Sequence, residues 1–200
     1  MSSGARYGEA DYWDKRYSEA TTSFDWYFNY HSVVTDLLAK YDRKDIKILN
    51  IGCGNSTFAE FLVRDGYKDV TNVDISPVVI KKMEEQYHEM LPTVKWITMD
   101  TRQLSFESES FDVVFDKGTL DAILCGSNSF VNAKKMNSEV SRVLKPGGTY
   151  LVMTYGDPES RILHFEDPAF DWIVTAKEVK SSDEDRKEAS IYHCYFMEKN

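Results

Sequence analysis

The stretch "ILNIGCGNSTFAEFLVRDG" runs from Ile48 to Gly66. An apolar run leads into two glycines spaced two apart, Gly52 and Gly54, and a helical pattern follows. A buried strand that ends in "GCGNS" before a helix begins brings backbone N–H groups close to a ligand. The fold, and the identity of that ligand, are read outward from this turn.

On either side of it strands and helices alternate. "HSVVTDLLAKY" (31–41) places Val33, Val34, Leu37, Leu38 and Tyr41 on one helical face. "DIKILNI" (45–51) is a short buried strand, and residues 56–64 are a helix stopped by Gly66. "DVTNVD" (69–74) is a second strand. "SPVVIKKMEEQYHEM" (76–90) is a helix with Ser76 as N-cap and Pro77 in its first turn. "VKWITMD" (94–100) and "FDVVFD" (111–116) are the third and fourth strands. A helix over about 128–144 carries Ala133, Met136, Val140 and Val143 at helical spacing, "KPGG" breaks it, and "TYLVMTY" (149–155) is the fifth strand. Such alternation implies a parallel sheet with right-handed crossovers. The ending differs. "FDWIVTAKEV" and "ASIYHCYFMEK" flank the charged turn "KSSDEDRKE" and read as an antiparallel hairpin. The predicted fold is α/β: a Rossmann-like, doubly wound, seven-stranded sheet, mostly parallel, with an antiparallel C-terminal hairpin. The 200 residues suit one domain, and no repeat or linker interrupts them.

Composition narrows the function. A net charge of −9 argues against binding nucleic-acid backbones, which relies on Lys and Arg. Three cysteines, an odd number without CxxC spacing, indicate neither a disulfide framework nor a zinc site, and His31, His88, His164 and His193 show no ligand spacing. The N-terminus has no signal-peptide core and no apolar run approaches the roughly 20 residues of a membrane span. The expectation is a monomer in the cytoplasm, with no metal. Aromatic residues are frequent, 14% of the chain, and many sit in "YWDKRY" and "FDWYFNY", where no strand or helix pattern demands them.

In such sheets a ligand lies at the carboxyl ends of the strands. Strand one ends at Gly52, strand two at Asp74, strand three at Asp100, strand four at Asp116 and Lys117. An acid about twenty positions after the glycines is placed to accept from ribose hydroxyls. A second acid after strand three suits an adenine amino group. The pocket is one for an adenosine, and two cofactors share that description: a dinucleotide and S-adenosylmethionine. The dinucleotide fingerprint has a third glycine where this chain has Thr57, which weakens the case for an NAD-dependent oxidoreductase.

The series, with "VLKPGG" before strand five, resembles the class I, seven-stranded S-adenosylmethionine-dependent methyltransferases. "DYWDKRY", "FDWY", "LNIGCGNS", "NVDISPVVI", "FDVVFDKGTLDA" and "EVSRVLKPGG" are similar to one subgroup, the eukaryotic protein-lysine methyltransferases that act on translation elongation factor 1-alpha. The resemblance covers about residues 7–155. It implies S-adenosylmethionine as cofactor, with S-adenosylhomocysteine as product, and elongation factor 1-alpha as protein substrate. It also implies a site. Gly52 lies under the methionine part, Asp74 holds the ribose with Ile75 beside it, Asp100 and Thr101 border the adenine, and Lys117 stands at the pocket edge. Residues 1–30 become an arm that closes over the cofactor with Trp13, Tyr17 and Trp26. Residues 31–155 form the cofactor-binding core and 156–200 the C-terminal hairpin region. Asn50 and Ser56 depart from the common pattern of an acid and a third glycine. The aromatic lid would then compensate, a cation over an aromatic face gaining about 0.5–2 kcal/mol. Lys117 has a plainer reading as the ion-pair partner of Asp116 or Asp121. An acceptor slot would draw on Lys117, Asp121, Tyr155 and the aromatics of "FDWYF"; no catalytic base is assigned. The same residues also suit a small-molecule methyltransferase, or a non-catalytic binding module that shares the fold.

Overall fold

The computed structural model describes residues 6–27, 32–41, 44–180 and 190–200. The predicted hairpin tip, the last residues of the arm and His31 lie outside them. Seven strands form one sheet: β1 (Lys47–Ile51), β2 (Asp69–Asp74), β3 (Lys95–Thr98), β4 (Phe111–Lys117), β5 (Leu144–Thr154), β6 (Trp172–Lys180) and β7 (Ile191–Lys199). Their spatial order is β3-β2-β1-β4-β5-β7-β6. The first five pair in parallel, and β7 runs antiparallel to both β5 and β6. Strand order reverses between β1 and β4, so the predicted fold class is the one observed.

The pleat divides the core. Ile48, Val113, Phe115, Leu151 and Met153 project into one apolar layer. Their neighbours Leu49, Val114, Tyr150 and Val152 project into the other. β4 is buried along its whole length, as a central parallel strand covered on both faces must be. On the first face lie α2 (Ser32–Leu38), α3 (Phe58–Arg64) and α4 (Pro77–Tyr87). Phe58, Leu62, Val79 and Met83 supply their buried side chains, each worth roughly 1.5–3 kcal/mol in removed apolar surface. On the second face lie α5 (Thr119–Leu124) and α6 (Ser129–Val143). Ser76 caps α4 as predicted, accepting from the Val79 N–H at 3.4 Å.

Three local readings change. Residues 119–124, unassigned from sequence, form α5; six residues are too few to display a period. "KPGG" does not separate a helix from a later strand. β5 already begins at Leu144, and the register with β4 jumps from Phe111↔Leu144 to Val113↔Thr149, so the tetrapeptide is an irregularity inside the ladder. Between β5 and β6 lie a short α7 (Pro158–Arg161) and two 3-10 turns, Ile162–His164 and Pro168–Phe170, which bury Phe165 and Phe170. The N-terminal segment holds a ten-residue helix, α1 (Ala10–Glu19), docked on α4: Ser76 Oγ donates to Asp14 Oδ1 at 2.5 Å and Lys82 Nζ to the Tyr17 carbonyl.

Candidate active site

β1 ends in a turn whose glycines take left-handed backbone angles, φ +61° at Gly52 and +53° at Gly54. A Cβ at Gly52 would lie 2.0 Å from Thr119 Oγ1, and one at Gly54 would lie 2.7 Å from the Tyr17 hydroxyl. Both positions therefore require glycine twice over, for conformation and for space. Asp74, at the end of β2, accepts from the Gly54 N–H at 2.9 Å and from the Ser76 N–H at 3.0 Å. Burial raises its carboxyl to about 6, against these backbone hydrogen bonds, which pull it down. Each of its oxygens takes one backbone N–H and has a second lone pair left over.

All nine residues expected from sequence line one cleft across the strand ends: Trp13, Tyr17, Trp26, Gly52, Asp74, Ile75, Asp100, Thr101 and Lys117. Several have partners the sequence did not disclose. Asp100 receives the Arg102 guanidinium on both oxygens, Nε at 2.9 Å and Nη2 at 2.7 Å, and the Arg102 N–H as well. Burial raises the Asp100 carboxyl, but Arg102 outweighs it and leaves it below the usual range. Lys117 pairs with neither Asp116 nor Asp121. Its Nζ lies 2.6 Å from Asp25 Oδ1 in a buried ion pair, the two side chains being 7% and 6% exposed. Asp116 is fully buried beneath the cleft. It accepts from the Thr119 and Leu120 N–H groups and the Tyr150 hydroxyl, so it anchors α5 and does not face a ligand.

The early aromatics form the outer wall. Trp13 stacks on Tyr17 at 5.6 Å, and Tyr7 meets Trp13 and Trp26 at 5.7 and 5.8 Å. Arg16 stands at their centre, 5.8 Å from the Trp13 ring, 5.2 Å from Phe24 and 5.5 Å from Trp26. The chain's own guanidinium thus stands over three of these rings. Arg16, Asp25 and Arg102 were all missed. Arg16 carries a signal, being four and three residues from Tyr12 and Trp13 on a helix face; the long-range partners of Asp25 leave none.

The proposed slot residues Asp121, Tyr155 and Tyr27 meet at the rim, the Tyr155 N–H donating to Asp121 at 3.4 Å, but they take different roles. Tyr155 is exposed at the rim, 69% accessible. Asp121 is engaged by the Tyr27 hydroxyl, by Thr154 Oγ1 at 2.6 Å and by Arg161 Nη2 at 2.6 Å. It is no free base. Tyr27, with φ +66°, holds the arm between Gly118 and Asp121 and lies 5.0 Å from Tyr192. Among the described residues no group of three or more His, Cys, Asp and Glu side chains could hold a metal ion.

The donor set fits an adenosylated amino acid: acceptors with spare lone pairs at the end of β2, a carboxylate–guanidinium pair after β3, a lysine after β4 and aromatic walls above. Comparison with known proteins agrees. The family model for the methyltransferase domain matches residues 49–152. EEF1A lysine methyltransferase 4 from Mus musculus is 40% identical over 179 residues, covering 84% of this chain and 69% of that protein. The eEF1A lysine and N-terminal methyltransferase of Homo sapiens is 37% identical over 193 residues; these cover 94% of this chain and only 27% of that much longer protein. Among solved structures, a SAM-dependent methyltransferase from Methanosarcina mazei superposes with a TM-score of 0.66 at 17% identity, covering 86% of this chain and 99% of that one. The magnesium protoporphyrin IX methyltransferase of Synechocystis gives 0.62 at 18%, covering 84% and 77%. At those identities the structural likeness speaks for the fold alone.

Proposed function

The chain belongs to the class I S-adenosylmethionine-dependent methyltransferases, and from that membership we propose that it methylates a lysine of translation elongation factor 1-alpha. The observation that carries this reading is the 40% identity, over 84% of the chain, to a protein named for that substrate. When bound, the cofactor supplies an activated methyl group for direct displacement by an amine. In our reading Gly52 passes under its methionine part, Asp74 accepts from the ribose and Ile75 packs beside it. The Asp100–Arg102 pair and Thr101 border the adenine, and the arm carrying Trp13, Tyr17 and Trp26 serves as lid over a single domain.

The remaining task of the chain is positioning and desolvation. A lysine has an ordinary pKa near 10.4 and attacks only as the free amine. A slot that excludes water lowers that value by disfavouring the charged form. Repulsion by Lys117 adds little, because Asp25 neutralises it at 2.6 Å. Tyr27, Tyr155 and Tyr192 cluster at the strand-end rim, with ring centroids 5.0 and 6.3 Å apart, and offer apolar walls for an aliphatic stem. The proposal places a monomer in the cytoplasm, acting on a protein and not on nucleic acid; no helix among the described residues is long and apolar enough to cross a membrane.

The test is incubation with recombinant elongation factor and tritiated S-adenosylmethionine, followed by mass-spectrometric mapping. A methyl-lysine on the factor is expected. An unlabelled factor, with label in a metabolite or in another protein of a lysate, overturns the substrate assignment.

A further inference from the structure

Asp25 stands in the "FDWY" of the family resemblance, which gives its buried carboxylate no role, yet that carboxylate joins three parts of the cleft. It accepts from the Ser56 hydroxyl and, at 3.1 and 3.3 Å, from the Thr57 hydroxyl and N–H, and so caps α3 from outside the helix. It pairs with Lys117 at the end of β4, whose ammonium also donates to the Trp26 carbonyl at 3.4 Å. Its chain neighbours Phe24 and Trp26 line the cleft. The segment just before it is stitched to the same turn: Asn55 Nδ2 donates to the Thr22 carbonyl at 2.8 Å and the Phe24 N–H to the Asn55 carbonyl at 3.4 Å.

An ion pair this buried is costly to break by removing one partner, because the other is left charged without compensation. The helix cap lost with it leaves an orphan backbone N–H. Burial pulls the Asp25 carboxyl upward, and the Lys117 charge with the Ser56 and Thr57 hydrogen bonds carries it below its usual range, so it is ionised at neutral pH. Burial pulls Lys117 down, against the attraction of Asp25.

We propose that Asp25 is a positioning residue for the cofactor: by bridging the β1–α3 turn to Lys117 it fastens the aromatic arm over the cleft, and cofactor affinity depends on that bridge although Asp25 itself does not line the site. The inference rests on the cofactor reading above. Calorimetry with S-adenosylhomocysteine separates the two. In Asp25→Ala the dissociation constant rises about tenfold or more, the span of a lost hydrogen bond to a charged group. Amide exchange over residues 6–27 accelerates while that of β1 and β4 holds. Asp25→Asn keeps an acceptor for the Thr57 N–H but loses the charge, and takes an intermediate value. In a Lys117→Met background the Asp25→Asn step costs little further affinity, since the pair is already gone. A binding-competent unaltered chain whose Asp25→Ala variant binds equally or more tightly, with unchanged arm exchange, overturns the proposal and leaves the cofactor reading standing. Absence of binding by the unaltered chain overturns that reading and this proposal together.

Discussion

Asp74 holds a folded turn and lines the cleft with the same carboxylate. Its bonds to the Gly54 and Ser76 N–H groups fix the Gly52–Gly54 turn, and its burial lifts its pKa to about 6. A ligand hydroxyl that donates to this carboxylate needs it charged. Two outcomes follow. Asp74→Ala weakens S-adenosylhomocysteine by roughly 10- to 150-fold, the equivalent of about 1.5–3 kcal/mol, as measured by calorimetry. In the unaltered chain affinity also falls as pH drops through about 6, where the carboxyl gains its proton; a profile that stays flat across that pH would remove the charge on Asp74 from the interaction. Asp74 was legible in the sequence because its position follows from chain order: a strand end a fixed distance after a glycine turn. Asp25, Arg16 and Arg102 were not, because their roles come from partners. Asp25 meets Lys117 across 92 positions of sequence, and nothing in "FDWY" states that distance.

The elements show the same division. β1, β2, β4 and α4 were readable because periodicity and capping are local; Ser76 and Pro77 announce the start of α4 within two residues. α5 was not, and the reason is visible in what holds it. Its first N–H groups are satisfied by Asp116, at 2.8 Å to Thr119 and 3.0 Å to Leu120, and its Leu120 is wholly buried. Tertiary contacts fix a helix too short for intrinsic propensity to support. Asp116 is raised to about 7, first by burial and then by the charge of Asp121. An acid whose folded pKa exceeds its unfolded value of about 3.9 binds protons in the folded state first, so it stabilises folding as pH falls through about 7 toward about 4. Asp74 acts in the same direction, nearer pH 6. Urea unfolding should therefore give a higher stability at about pH 6 than at about pH 8, with the increment reduced in Asp116→Asn. Stability that instead rises across that interval would show that neither carboxyl is held up in the folded protein. Asp116→Ala, which strands two backbone donors and the Tyr150 hydroxyl, is expected to cost about 1–3 kcal/mol.

Taken as one body, the chain has a net charge of −9, yet its cleft is locally balanced: Lys117 pairs with Asp25 and Asp100 with Arg102, while Arg16 and Asp74 contribute one charge of each sign. The surplus acid therefore lies elsewhere. Part of it lies on the segment after β5, where Asp157, Glu159 and Glu166 are exposed, the first two following the rim residue Tyr155 closely in the chain. Local neutrality and distant acidity separate the salt dependences of two binding events. Buried pairs are screened little, whereas charges in water lose their reach beyond a Debye length of about 10 Å at 0.1 M salt. A basic protein acceptor would be steered to the rim by the exposed acids, and such steering acts on association. Raising sodium chloride from about 50 to about 400 mM should then leave S-adenosylhomocysteine affinity within about twofold, while kcat/KM for the protein acceptor falls severalfold through KM. Glu159→Lys should lower kcat/KM at low salt and flatten its salt dependence, without moving cofactor affinity. If the acceptor's kcat/KM proved insensitive to salt, docking would rest on shape and apolar contact at Tyr155 and its neighbours, and the acidity of the chain would have no part in choosing its substrate.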